Sequence, residues 1–97
     1  MPTTEKLKAV LASHKEELKK NYKVKEIGIF GSYVRHEQTK KSDVDLLVTF
    51  CETIDLFRFV ELENYLSDLL GVKVDLVMKE GIKPRLKERI LNEAVYV

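Results

Sequence analysis

Asp43 and Asp45 stand one residue apart where an apolar run, Leu46-Leu47-Val48, begins. Side chains at i and i+2 of a strand point the same way, roughly 6.5 Å apart along the chain. The pair would therefore present two carboxylates on one sheet face. Such oxygen ligands hold the hard divalent cations that carry nucleotide phosphates. Two neighbouring carboxylates repel each other and resist burial, and a cation between them offsets that cost. The plainer alternative is a capping Asp followed by an exposed strand start. Asp is depleted inside strands, so two in alternation beside apolar residues favour the site.

Ten residues separate Asp43 from Ser32, which follows Gly31 at the end of a second apolar run, Ile27-Gly28-Ile29-Phe30. A glycine lets the backbone approach a ligand closely, and a helix N-terminus offers free N–H groups and partial positive charge. The Ser32 hydroxyl can donate to a phosphate oxygen, or it can simply cap a turn. Arg35 lies three residues after Ser32, one helical turn on, and can share its face. From there it could pair with phosphate or with one of the aspartates. Asp75, in Val74-Asp75-Leu76-Val77, is a third strand-borne acid facing away from the apolar set. Taken alone it reads as an exposed polar face as readily as a site residue. Lys40 and Lys41 could screen phosphates or belong to a solvated loop.

These residues need strands and turns to hold them. Leu7, Val10, Leu11 and Leu18 recur at helical spacing, which predicts one amphipathic helix over 4–21, capped by Thr3 or Thr4. Its lysines read as a solvated face. Val24–Phe30 is predicted as a strand, 33–37 as a short helix, 39–42 as a loop and 43–50 as a second strand entering the core through Leu46 and Val48. Asp55 is placed to cap a helix over 56–70, and Gly71 to end it. A third strand is expected over 72–77, a helix from Pro84 to about 92, and a short final strand over 94–97. The order is α-β-α-β-α-β-α. It implies an α/β (α+β) architecture, a small mixed sheet with helices packed on it.

The 97 residues are expected to form one domain, 1–97, with 44% hydrophobic and 34% charged residues and a formal net charge of +1. That balance gives no global pull toward nucleic acid or membrane. The four tyrosines show no regular stacking pattern, so direct nucleic-acid binding is not expected. Cys51 is the sole cysteine, which fits a reducing, cytoplasmic location. The two histidines have no ligand-spaced partners, which argues against zinc. No run nears the ~20 apolar residues that span a bilayer.

Gly31-Ser32, the ten-residue spacer, Asp43-Val44-Asp45 and the later Asp75 together resemble the signature of the DNA polymerase β-like nucleotidyltransferases, and most closely its minimal (MNT) family. The resemblance extends from about Leu7 to Val97. Commoner versions read Gly-Ser-Arg-x-Arg-Gly; here Tyr33 replaces the first Arg and His36 the Gly. The resemblance implies the nucleotidyltransferase fold. It implies Asp43, Asp45 and Asp75 as metal ligands and catalytic carboxylates, with Gly31, Ser32 and Arg35 at the nucleotide. Mg²⁺ and ATP are the implied cofactor and co-substrate, and a helical HEPN-type toxin the implied partner. The chain would then be an antitoxin that moves AMP onto a tyrosine of that toxin. A binding-only antitoxin, and a catalytic subunit modifying a small molecule alongside a separate substrate-binding protein, remain alternatives, and a homo-oligomer remains open.

Overall fold

In the computed structural model, residues 3–37, 39 and 43–97 are described. The expected loop at 39–42, with Lys40 and Lys41, lies outside them apart from Thr39. Helices α1 (Thr4–Ser13) and α2 (Lys15–Tyr22) lead into β1 (Val24–Phe30), a single 3₁₀ turn (Gly31–Tyr33) and β2 (Val44–Phe50). Then follow α3 (Leu56–Leu70), β3 (Val74–Met78), a second 3₁₀ turn (Lys79–Gly81), α4 (Pro84–Glu93) and β4 (Val95–Tyr96). The sheet order is β3-β2-β1-β4, with β2 and β3 parallel and the other pairs antiparallel. It is the mixed sheet with packed helices that the alternation predicted.

The registers sort the side chains onto two faces. Ile27 pairs with Val48, Ile29 with Leu46, and Leu46 in turn with Leu76. With Val44 and Val74 they form the main core, closed by Leu7 and Leu11 of α1, Leu18 of α2, and Leu62 and Leu66 of α3. The opposite face carries Phe30, Leu47 and Val77, a smaller cluster covered by Ile82 and by Ile90, Leu91 and Ala94 at the end of α4. On that second face Phe30 pairs with Asp45, and Asp45 with Asp75. Among the described residues no helix is long and apolar enough to cross a membrane.

The predicted single helix over 4–21 is broken at His14, whose φ of −108° and ψ of 9° leave the helical region. Ser13 Oγ donates to Val10 O at 2.8 Å, and His14 Nδ1 lies 2.9 Å from the same oxygen. The His14 N–H reaches back only three residues, to Leu11 O. Side-chain bonds of this kind compete with the helical ladder. Apolar spacing carries on across the break, so periodicity could not reveal it. The caps read as expected: Thr3 Oγ1 accepts from Lys6 N, Asp55 from Arg58 N, and Gly71 closes α3 at φ 69°. The expected helix at 33–37 is instead the 3₁₀ turn one step earlier, continued by turns to His36.

β3 is an outer strand, and its outward N–H groups would be left bare. Helix α3 supplies the missing acceptors. Val74 N donates to Ser67 Oγ at 3.0 Å and Leu76 N to Glu63 Oε2 at 2.9 Å, while Ser67 Oγ donates back to Glu63 O. Glu63→Ala is expected to lower stability by about 1–2 kcal/mol, the cost of a half-buried amide without a partner. Glu63→Gln, which keeps an acceptor, should recover most of it. Urea unfolding midpoints of the three proteins decide this; equal midpoints for Ala and wild type would remove the edge-capping role.

Candidate active site

The site begins at the last residue pair of β1 and β2. Gly31 follows Phe30 with φ at 81°, a left-handed conformation that only glycine adopts freely. A β-carbon there would lie 2.1 Å from Asp45 Oδ2 and 3.0 Å from its Cγ. The glycine is therefore required twice, by its backbone angle and by the carboxylate lying against it. The Gly31 carbonyl accepts from the N–H groups of Val34 and Arg35, and Ser32 O from Glu37 N, which closes the turn. Ser32 is half-buried, and its hydroxyl makes no hydrogen bond among the described residues.

Tyr33, at the position of the first Arg of the commoner signature, is fully buried in the main core. Its carbonyl accepts from Thr4 Oγ1 at 2.7 Å, pinning the turn to α1. Burial, and then the Asp43 charge, push its phenol pKa up. His36, at the place of the signature glycine, has φ at 59°. The turn keeps the left-handed step although the glycine is gone.

Asp45 is the half-buried member of the acidic trio. Its parallel register with Asp75 sets the two α-carbons roughly 4.8 Å apart, the ordinary strand spacing. Its pKa is pushed up to about 6, first by burial, then by the charges of Asp75 and Asp43. Arg35 partly opposes this and Glu93 adds to it. Asp43 is half-exposed, with Lys73 Nζ 3.9 Å from its Oδ2. Asp75 is exposed. The three share one face at one end of the sheet. Among the described residues, however, no three acidic, His or Cys side chains already converge at ligand spacing.

Arg35 does not pair with an aspartate. Its Nη1 donates to Glu93 Oε1 at 2.6 Å, and its Nε lies 3.4 Å from Glu37 Oε2. Glu93 went unnoticed in the sequence. One signal was available: an acid in the last turn of a helix opposes the helix dipole, so it calls for a cation. Carboxylate oxygens of this kind suit a hard divalent ion, whose charge would offset the burial and like-charge costs that raise the Asp45 pKa.

An open cavity of 230 Å³ lies beside Asp45, lined by Phe30, Gly31, Arg35, Asp45 and, from α4, Leu86, Arg89, Ile90 and Glu93. A larger cavity, 810 Å³, lies elsewhere, along α2 and Cys51. None of the signature residues lines it, whereas Gly31, Arg35 and Asp45 line the smaller one.

Residues 11–97 match the sequence profile described as the nucleotidyltransferase domain. A Methanocaldococcus jannaschii relative, provisionally named a protein adenylyltransferase, is 57% identical over 98 residues spanning 100% of both chains. Protein adenylyltransferase MntA of Thermococcus cleftensis is 50% identical over 97 residues, covering 100% of this chain and 98% of that one. A solved toxin–antitoxin structure with AMP-PNP matches at a TM-score of 0.72 and 28% identity, over 88% of this chain and 69% of its own. The chain belongs to the nucleotidyltransferase domain family, as its minimal-nucleotidyltransferase signature implied, and it is an enzyme of that class.

Two predictions follow from the geometry around Asp45. Its folded pKa lies above the ordinary 3.8, so the ionised group costs stability above about pH 6, and that cost fades as pH falls toward 4. Asp45→Asn should be at least as stable as wild type at neutral pH, by about 1 kcal/mol after solvent screening. The difference should vanish by about pH 4 in paired denaturant titrations; a variant less stable than wild type at pH 7 would contradict it. Gly31→Ala should cost about 1–2 kcal/mol through its backbone angle alone, with a further loss from the displaced carboxylate. Combining it with Asp45→Ala should recover the second part and not the first, read as a non-additive double-mutant cycle.

Proposed function

We propose that this chain transfers AMP from ATP, with Mg²⁺, to a hydroxyl of a partner protein. The acceptor is a tyrosine of a helical HEPN-type toxin, and the chain serves as that toxin's antitoxin. The observation that carries this is Asp45, a half-buried carboxylate in register with Asp75 and two residues from Asp43, packed against a Gly-Ser turn. The likeness to MntA and to a toxin–antitoxin pair supports the acceptor class.

In this reading Asp43, Asp45 and Asp75 would hold the cation. A bound Mg²⁺ would supply positive charge to the phosphate oxygens as negative charge develops on them. Ser32 Oγ, with no bond of its own, donates to a phosphate oxygen. Gly31 lets the backbone lie close. Arg35 has five N–H donors, and two nitrogens already face Glu93 and Glu37; the remainder are available to phosphate. The acceptor oxygen bonds to the α-phosphorus, the bond from that phosphorus to the leaving oxygen breaks, and pyrophosphate departs. Asp75, exposed beside Asp45, takes the hydroxyl proton.

The 97 residues act as one domain whose acceptor side the partner completes. Sites that enclose a small ligand usually measure roughly 300–1,000 Å³. The open 230 Å³ cavity falls short of that, which suits an acceptor carried on a protein surface. With ATP and Mg²⁺, wild type should add the mass of one or more AMP groups to a tyrosine of the HEPN-type partner, and Asp45→Asn should add none. Intact-mass spectrometry with peptide mapping checks it. Inhibition of the partner by wild type without any adduct would favour mere complex formation, and an adduct confined to a small molecule would exclude the proposed acceptor.

A further inference from the structure

Helix α4 presents Leu86, Arg89, Ile90 and Glu93 to the cavity beside Asp45. The spacing of these four, i, i+3, i+4 and i+7, is one face of a helix. Their environments differ in a telling way. Ile90 packs on the small apolar cluster. Glu93 is committed to Arg35 at 2.6 Å. Arg89 is exposed, and among the described residues it has no ion-pair or hydrogen-bond partner. Arg89 therefore lines the same cavity as Gly31 and Asp45 with its guanidinium uncommitted among the described residues, beside apolar groups and the Arg35–Glu93 pair.

Charge bookkeeping around the cavity makes this cation matter. Arg35 and Glu93 offset one another, and the carboxylates have to meet a metal ion before any anion can approach. A nucleoside triphosphate brings most of its negative charge on the two phosphates that leave together. Guanidinium is suited to such oxygens, which it binds with parallel N–H donors. We propose that Arg89 is a positioning residue that anchors the β- and γ-phosphates of the nucleotide against α4, setting the α-phosphorus beside the aspartates. This rests on the nucleotidyl-transfer reading above and adds to it a residue outside the signature stretch, some fifty residues downstream. Leu86, exposed in the same cavity, gives the nucleotide an apolar surface next to that anchor.

The test is equilibrium binding of a non-hydrolysable ATP analogue and of AMP, each with Mg²⁺, to wild type, Arg89→Gln, Arg89→Lys and Lys87→Gln. Lys87 carries the same charge on the same helix and lines a different cavity. Arg89→Gln should weaken the ATP analogue about 10- to 100-fold, the effect of losing a hydrogen bond to a charged group. AMP binding should change less than about twofold, since AMP lacks the phosphates at issue. Arg89→Lys should recover part of the loss, and Lys87→Gln should bind like wild type. Thermal unfolding should be unchanged in all three variants, because neither side chain is buried. Equal analogue affinity in wild type and Arg89→Gln would overturn the proposal while leaving nucleotidyl transfer intact. So would an equal loss in Lys87→Gln, which would mark a diffuse charge effect, or an equal loss for AMP. Wild type that binds neither nucleotide would overturn the transfer reading itself, and this proposal with it.

Discussion

A like-charge problem organises one end of this molecule. The parallel register of β2 and β3 sets Asp45 directly beside Asp75, and chain alternation sets Asp43 on the same face. Burial makes the problem worse for Asp45 than its neighbours' charges do. Nothing in the packing requires an acid there: two residues on, the same face holds Leu47, fully buried under α4. An apolar residue at 45 would extend that cluster. A fold that keeps a half-buried carboxylate at 45, where a hydrophobic residue would serve stability better, breaks a local rule in the way functional positions do.

The remaining features follow from making room for that end. Gly31 cannot carry a side chain because Asp45 occupies the space. Its left-handed angle turns the chain away from β1, and the turn that follows is anchored on both sides. Tyr33 and Thr4 tie it to the main core, while Arg35 ties it to the last turn of α4. Helix α4 thus closes the small apolar cluster with one part of its surface and braces the signature turn with another. The Arg35–Glu93 pair is partly exposed, so its worth lies more in fixing that geometry than in raw stability.

Much of the fold was legible because it depends on local rules. The alternation of Leu46 and Val48 against Asp45 and Leu47 set the faces of β2, and Asp55 and Gly71 set the ends of α3. What escaped was set by side chains acting over other distances. Ser13 and His14 break the first helix through bonds to Val10 O that leave the apolar spacing untouched. Glu63 and Ser67 cap an outer strand from a helix that precedes it, a pairing of side chain with backbone that no periodicity reports. Around the cavity, the Gly-Ser turn and the Asp43–Asp45 pair could be read from residue type and spacing, while Asp75 is singled out only through the family resemblance. The place of Glu93 and Arg89 on the cavity could not, because they reach it only after α4 folds back across the second face, although an acid in the last turn of α4 already called for a cation.

The departures from the commoner signature carry their own physical lesson. Position 36 keeps a left-handed backbone, φ 59°, although histidine stands where glycine is usual. A non-glycine residue in that region costs about 1–2 kcal/mol, so the turn's shape is maintained against the residue's own preference. Position 33, where the commoner signature has an arginine, holds a phenol buried in the core. Among the described residues, the cations lining the cavity are Arg35, already engaged by two carboxylates, and Arg89 on α4. An anion entering that cavity would therefore meet positive charge from the helix packed on the second face as well as from the turn.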